Sequence, residues 1–124
     1  MFINFSNHPS EKWSKLQYRN AEILGGEIID VPFPNVPPNA DPNEIMRLAY
    51  LAIAQFKRIA GAYPENTFVM IQGEPTLCFA IISRLQIAHS KIRAVAATTE
   101  RVVIENADGS KTASFNFVQF RKYV

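Results

Sequence analysis

The segment Thr67-Phe68-Val69-Met70-Ile71-Gln72-Gly73-Glu74-Pro75-Thr76 carries the strongest structural signal in this sequence. Its run Phe68–Ile71 is continuously apolar rather than alternating, which is typical of a strand that is buried on both faces. The predicted strand is Thr67–Gln72; Gly73 follows it, and Pro75 suits the first turn of a helix. A strand that is covered on both sides and followed at once by a helix indicates a parallel α/β sheet.

The same alternation of strand and helix extends in both directions. Further strands are predicted over Met1–Phe5, Glu27–Val31 and Ile92–Ala97, and helices over Ser10–Leu24, from Asp41 to Gly61 and from Pro75 onward. Five of the eight prolines lie between Pro32 and Pro42, too densely for either regular element. That segment is predicted to be an ordered surface loop within one domain, residues 1–124.

A β-hairpin is predicted at the end of the chain. Asn106-Ala107-Asp108-Gly109 lies between the strand-like segments Arg101–Glu105 and Lys111–Val118, and Asp-Gly is a strong hairpin turn signal. The predicted fold class is therefore α/β, a Rossmann-like three-layer sandwich. Its sheet is mostly parallel with strand order 2-1-3-4, and it ends in an antiparallel hairpin.

Composition and charge exclude several classes of protein. Thirteen Lys and Arg against eleven Asp and Glu leave a net charge of +2, too weak a bias for a duplex-DNA binder or a polybasic membrane anchor. The single cysteine, Cys78, excludes an intramolecular disulfide framework, and no Cys/His cluster indicates zinc. The longest apolar run, Leu48–Ala54, is far shorter than the ~20 residues that cross a bilayer. We expect a cytoplasmic protein without a metal or cofactor.

Polar side chains follow three of the predicted strands where each strand ends. Ligands of open α/β sheets bind beyond the carboxyl ends of the strands, near the point where strand order reverses. Here that point lies between the first and third strands. The candidate site residues at this edge are Ser6, Asn7, His8, Gln72, Gly73, Glu74, Thr76, Thr98, Thr99, Glu100 and Arg101.

These residues have chemistry that suits a phosphate ligand. Gly73 permits a close backbone approach or a positive φ, and the N–H groups of the following helix start can face an anion. Thr76 can donate its hydroxyl, and Arg101 is a natural bidentate partner of phosphate. His8 is a candidate acid/base group.

Each of these residues also has a structural alternative. Gly73 can simply make the turn while Glu74 or Thr76 caps the helix. Arg101 can form an ion pair with one of three acidic residues, Glu74, Glu100 or Glu105. A histidine before a proline, like His8, is more often a local structural residue, with Ser6 and Asn7 capping the next helix.

Two segments indicate a protein partner. Leu77–Ile82 is apolar all round for nearly two helical turns, so that helix needs cover on more than one side. The predicted hairpin is aromatic and offers a second contact surface, unless its aromatic face covers the domain's own helices; its aromatic residues are Phe115, Phe117, Phe120 and Tyr123. We expect a homodimer.

Four short motifs are similar to those of a known group of proteins. They are Asn4-Phe5-Ser6-Asn7-His8-Pro9, Gln72-Gly73-Glu74-Pro75-Thr76, Ala96-Ala97-Thr98-Thr99-Glu100-Arg101 and Phe117-Val118-Gln119-Phe120-Arg121-Lys122-Tyr123. The chain thereby resembles small CRISPR-associated Rossmann-fold proteins of type III systems. Those carry a Gln-Gly-Asp-like turn where this chain has Glu74, and the proline-rich loop has no counterpart in them.

The resemblance implies binding of cyclic oligoadenylate second messengers, with metal-independent cleavage in the members that are ring nucleases. In that reaction a ribose 2′-OH attacks the adjacent phosphate and yields a 2′,3′-cyclic phosphate. Mapped onto this chain, Arg101 would stabilise the developing charge, and His8 or Glu74 would take the proton. The ligand-binding residues would be Ser6, Asn7, Gln72, Gly73, Thr76, Thr98 and Thr99.

Two other functions fit the same sequence. A sensor or sponge would bind the cyclic nucleotide without cutting it, and would have no need of His8 or Glu74. An adaptor subunit would use the aromatic hairpin and the apolar helix to join a partner protein. A dinucleotide oxidoreductase is disfavoured, because no Gly-x-Gly-x-x-Gly follows the first strand.

Overall fold

The computed structural model describes all 124 residues and contains five strands and three α-helices. Two 3-10 turns, Ser10–Lys12 and Pro64–Asn66, complete the regular structure. In chain order the elements are β1 (Phe2–Ser6), α1 (Lys15–Gly25), β2 (Ile28–Pro32), α2 (Pro42–Ala60), β3 (Phe68–Ile71), α3 (Pro75–Ile87), β4 (Arg93–Glu105) and β5 (Lys111–Lys122).

The sheet has the order β2-β1-β3-β4-β5. Its first four strands are parallel, and β5 runs antiparallel to β4. The predicted fold class and the order 2-1-3-4 are confirmed, with the hairpin continuing the sheet at its far edge. The order reverses between β1 and β3, so a switch point lies at their carboxyl ends.

Helices cover both faces of this sheet, which explains why the strands are apolar on both sides. Ile3 and Phe5 of β1 belong to the larger core cluster, which α2 and α3 cover. Phe2 belongs to a smaller cluster on the opposite face, together with Ala21 of α1. The polar residues Asn4 and Ser6 of β1 alternate with Ile3 and Phe5, so they share the α1 face with Phe2.

The helices begin at residues that cap them. Asp41 caps α2 by accepting a hydrogen bond from the Glu44 N–H at 2.9 Å, with Pro42 in the first turn as predicted. The predicted start of the first helix at Ser10 is wrong, because α1 begins at Lys15 and is capped by Ser14. Ser10 instead donates to the carboxylate of Asp30, which holds its segment in a separate turn.

The predicted break in the fourth strand is also wrong. Ile92–Ala97 and Arg101–Glu105 belong to one strand, because β5 pairs with β4 along its length from Val95 to Glu105. Since β3 pairs with β4 only as far as Val95, the rest of the hairpin leaves the sheet. We call residues 98–105 and 111–119 the arm. A bulge between Thr98 and Thr99 lies at its base.

Two side chains bridge the place where β3 and β4 part. The Gln72 Oε1 accepts a hydrogen bond from the Ala97 N–H at 3.1 Å. The Tyr123 hydroxyl donates to the Ile71 carbonyl at 3.0 Å. The Ala97 N–H and the Ile71 carbonyl lie where β3 and β4 no longer pair with each other, and these two side chains supply their partners. Backbone groups without a partner are costly when they are buried. We call this the junction.

Gly73 is required by a close approach rather than by a positive φ. A Cβ at this position would lie 2.6 Å from ring atoms of Phe33, far inside van der Waals contact. Phe33 belongs to the proline-rich loop, and its side chain is buried in the core, where it packs on Phe5 with ring centroids 4.9 Å apart. Gly73 therefore allows the loop to be anchored on the core at the carboxyl edge of the sheet.

Gly73→Ala is expected to destabilise the protein by roughly 1–3 kcal/mol, because the buried Phe33 ring has to move. Phe33→Leu removes part of that clash, so the double variant should lose less stability than the sum of the single losses. Urea unfolding of the four proteins measures both effects. Additive losses would contradict the assigned contact.

Candidate functional site

A cavity of about 660 Å³ lies over the carboxyl ends of β1, β3 and β4 on the α1 face of the sheet. The β1–α1 loop, the start of α1 and the base of the arm form its walls. We call it the switch cavity. Its lining residues are His8, Lys12, Trp13, Ser14, Leu16, Gln17, Met70, Gln72, Ala97, Thr99, Phe115, Asn116 and Phe117.

The switch cavity suits an anion. No aspartate or glutamate lines it, whereas Lys12 contributes a positive charge. The Gln72 oxygen is taken by the Ala97 N–H, so the amide must present its Nε2 hydrogens elsewhere, and they meet no acceptor in the protein. The cavity therefore combines a cation and hydrogen-bond donors with the aromatic side chains of Trp13, Phe115 and Phe117.

A hydrogen-bond network around the buried residues Asn4 and Ser6 fixes the wall that carries His8. Asn4 Nδ2 donates to the His8 carbonyl at 2.8 Å and to Asp30 Oδ1 at 2.9 Å. The Ser6 hydroxyl donates to Asn4 Oδ1 at 2.6 Å and accepts from the His8 N–H at 3.1 Å. Trp13 Nε1 donates to the same His8 carbonyl at 3.1 Å.

The residues predicted at the end of the first strand, Ser6, Asn7 and His8, have three different locations. Ser6 is buried and its hydroxyl is used inside the protein, so it positions His8 rather than lining the cavity. His8 itself is exposed and lines the cavity. Asn7 is exposed and lies outside the lining.

The second predicted group does not assemble as an anion site. Glu74 caps α3 by accepting hydrogen bonds from the N–H groups of Thr76 at 3.1 Å and Leu77 at 2.8 Å. The Thr76 hydroxyl donates to the same carboxylate at 2.6 Å. The capping alternative is thus confirmed for Glu74, whose carboxylate takes the position at the helix start where a phosphate was expected. Neither residue lines the switch cavity.

Arg101 lies on β4, within the segment Arg101–Glu105 that was predicted to be a strand. It faces Phe115 across the arm, two residues beyond Thr99, which lines the cavity. Strand alternation gives Thr99 and Arg101 the same face of the arm. Arg101 is exposed and forms no ion pair, since the chain's single ion pair joins Glu44 and Arg47 at 2.6 Å. The ion-pair alternative is therefore wrong.

Thr98 and Thr99 have different surroundings although they are adjacent. The Thr98 hydroxyl donates to the Gln119 carbonyl at 3.1 Å and accepts from the Gln119 N–H at 3.2 Å, so it holds the bulge together. Thr99, on the other side of the bulge, lines the switch cavity. Among the predicted site residues, the cavity thus brings together His8, Gln72 and Thr99.

The sequence pointed to none of the cavity residues Lys12, Trp13 and Gln17. They follow the first strand too far along the chain to be assigned to its end. The 3-10 turn at Ser10–Lys12 brings them back over the sheet edge, and that turn depends on Asp30. From the sequence, Phe115 is only one of the aromatic residues of the predicted hairpin.

A second cavity, of about 530 Å³, lies across the junction on the α3 side. Gly73, Cys78, Phe79 and Tyr123 are among its lining residues. Burial raises the pKa of the Cys78 thiol and that of the Tyr123 hydroxyl. A raised pKa leaves little thiolate at neutral pH, so Cys78 is a poor nucleophile.

Two further structural findings concern metals and membranes. No group of three or more His, Cys, Asp or Glu side chains converges anywhere in the chain. None of the three helices has the length and apolar character needed to cross a membrane.

The strand order, the helices on both faces and the cavity at the switch point define a small Rossmann-like α/β protein. Residues 1–121 match the family described as "Uncharacterized protein MJ1673 family", and the chain belongs to that family. No curated protein and no solved structure matches the chain.

Glu74→Gln is expected to lower stability at neutral pH. Hydrogen bonds from the Thr76 hydroxyl and the Leu77 N–H lower the pKa of the Glu74 carboxyl in the folded protein. A lowered folded pKa adds stability that is complete above the unfolded pKa and is lost as pH falls through the folded value. The difference between wild type and variant should therefore be constant near pH 7 and shrink below about pH 4.5.

Urea unfolding of both proteins from pH 7 to pH 3 measures this difference. Glu11→Gln is the matched control, because the Glu11 side chain is exposed and forms no hydrogen bond. A stability difference for Glu74→Gln that does not depend on pH would contradict the charged cap.

Proposed function

We propose that this protein binds a cyclic oligoadenylate in the switch cavity and cleaves it as a metal-independent ring nuclease of type III CRISPR signalling. The observation that carries the proposal is the cavity itself, which has no carboxylate and combines a cation, amide donors and aromatic walls at the switch point. The motif resemblance supplies the ligand class. Such messengers act in the cytoplasm, where the proposal places the protein.

The cavity walls fit the parts of a nucleotide. Lys12 and the Nε2 hydrogens of Gln72 are donors for phosphate oxygens, and Arg101 on the arm is a bidentate donor with no competing acid. Thr99 on the cavity wall is a hydrogen-bonding group for a ribose, and so is the exposed Asn7, which lies outside the lining in the adjoining β1–α1 loop. A site without a carboxylate avoids the repulsion that an anionic ligand would meet beside Glu74.

In the proposed reaction, a ribose 2′-oxygen attacks the adjacent phosphorus and the 5′-oxygen leaves, taking a proton from solvent. The products are a 2′,3′-cyclic phosphate and a 5′-hydroxyl. His8 takes the 2′-OH proton, and the network around Asn4 and Ser6 holds its backbone in place. Arg101 stabilises the charge that develops on the phosphate.

Glu74 is the weaker candidate for the base. Its carboxylate already accepts three hydrogen bonds, and the lowered pKa reduces its basicity. This leaves His8 as the one candidate base on the cavity wall. The capping role of Glu74 also favours a second function, a sensor or sponge that binds the cyclic nucleotide and leaves it intact.

Arg101→Ala is expected to weaken binding of the cyclic adenylate that the wild type prefers, by about 10- to 150-fold, because a charged hydrogen bond is lost. His8→Ala should leave binding nearly unchanged and slow cleavage by about 10²- to 10⁴-fold, as expected for a lost general base. Calorimetry and product chromatography separate the two effects.

Arg58→Ala is the control for charge, since Arg58 is exposed on α2, which covers the opposite face of the sheet. Unchanged binding and turnover in Arg101→Ala would remove Arg101 from the site. Unchanged turnover in His8→Ala would remove the assigned base.

We also propose that the protein is a homodimer. Val103, Ile104 and Val118 of the arm are about half exposed, and a two-stranded ribbon is only marginally stable by itself. A two-fold axis would suit a cyclic ligand of even symmetry.

Light scattering during size exclusion should give about twice the 14.0 kDa mass of one chain, and Ile104→Glu should reduce it. A monomeric wild type would contradict the dimer. A monomer that binds no cyclic adenylate and retains a second protein would favour the adaptor function.

A further inference from the structure

One aromatic ring of β5 is left without cover at the mouth of the switch cavity. Phe120 packs on Phe2 and on Phe117, with ring centroids 4.9 Å apart in both pairs. Phe117 is buried as a result. Phe115, two residues further along the same face, is 66% exposed, and no other aromatic ring lies against it. Yet Phe115 lines the cavity.

The neighbour of this ring is an exposed cation, Arg101. Arg101 lies directly opposite Phe115 in the β4–β5 register, on the same face of the arm. Side chains that are directly opposite in an antiparallel pair are close enough to interact. Arg101 has no acidic partner to draw it away. We call this pair the Phe115–Arg101 platform.

The chemistry of the platform fits a nucleobase better than a protein surface. A nucleobase is flat and has π-faces that stack on an aromatic ring, and a guanidinium beside that ring can bind a phosphate of the same nucleotide. The apolar residues Val103 and Ile104 lie farther out on the arm, away from the cavity lining. A protein partner would cover Val103 and Ile104. Phe115, in contrast, lines the cavity together with Lys12 and Gln72.

We propose that the Phe115–Arg101 platform holds the bound nucleotide: the Phe115 ring stacks on a base, and Arg101 beside it binds a phosphate together with Lys12 and Gln72. This assignment rests on the proposed nucleotide ligand and names the residue that recognises its base. Stacking uses only the π-face, so the platform selects ligands that carry a base and does not select one base by its hydrogen-bonding edge.

The test compares wild type with four variants: Phe115→Ala, Phe115→Leu, Phe115→Tyr and Phe79→Ala. Each is titrated with cyclic tri-, tetra- and hexa-adenylate. Phe79 is the matched control, since it is 73% exposed but lies on α3, on the other side of the junction. Phe115→Leu keeps an apolar side chain on the arm and removes only the ring, and far-UV circular dichroism checks that every variant folds.

Loss of the ring is expected to weaken binding by about 5- to 150-fold in Phe115→Ala and Phe115→Leu, the range found for one stacked base. Phe79→Ala should bind like wild type. Stacking also lowers the ultraviolet absorbance of adenine on binding, and that decrease should be smaller with Phe115→Leu. Phe115→Tyr should restore both affinity and the absorbance change.

The other outcomes contradict either the platform alone or the proposed function as well. Equal binding by wild type, Phe115→Ala and Phe115→Leu would overturn the platform and leave the proposed function standing. An equal loss of affinity with Phe79→Ala would also overturn the platform, because removal of any exposed aromatic ring would then weaken binding. A wild type that binds none of the three ligands would overturn the proposed function, and the platform with it.

Discussion

Everything at the carboxyl edge of this protein depends on how the sheet divides after Met70 and Val95. Beyond that pair β3 turns into α3 while β4 continues outward with β5, and the parting strands leave backbone groups without ladder partners. Gln72 supplies an acceptor to one strand, and Tyr123 supplies a donor to the other. An unpaired buried N–H or carbonyl costs about 1–3 kcal/mol, so these two side chains fix both the division and the direction of the arm.

The switch cavity follows from that division, because the departing arm becomes one of its walls. The opposite wall is the β1–α1 loop, which Asn4 and Ser6 hold from inside the sheet and Asp30 holds from the edge strand. Buried polar residues on a central strand are costly unless they are paired, and here Asn4 and Ser6 pair with each other, with Asp30 and with the backbone of this loop. Both walls are therefore fixed before any ligand arrives, which is how a site limits the entropy that binding costs.

The sequence was sufficient for the fold where one physical signal dominated. Continuous apolar strands, the Asp41-Pro42 helix start and the Asp108-Gly109 turn each have few structural alternatives, and the strand order followed from right-handed crossovers. The break assigned after Ala97 was wrong because Thr98 and Thr99 are polar residues that still suit a strand, and the long pairing of β4 with β5 decided the outcome.

The site was predicted only in part, for a related reason. Residues that directly follow a strand, such as His8 and Gln72, could be placed from topology alone. The role of Glu74 could not, because a carboxylate before a helix-starting proline is equally compatible with capping and with catalysis. Lys12 and Phe115 depend on a 3-10 turn and on an arm whose positions are set by contacts distant in sequence.

The most direct measurement is incubation of the EDTA-treated protein with cyclic tri-, tetra- and hexa-adenylate, followed by chromatography and mass spectrometry of protein and products. The proposed function predicts that one ring binds and is opened to linear products ending in a 2′,3′-cyclic phosphate. A ring that co-elutes intact with the protein would restrict the function to binding. If no ring is bound or cut, the assignment of the switch cavity to a cyclic nucleotide is contradicted.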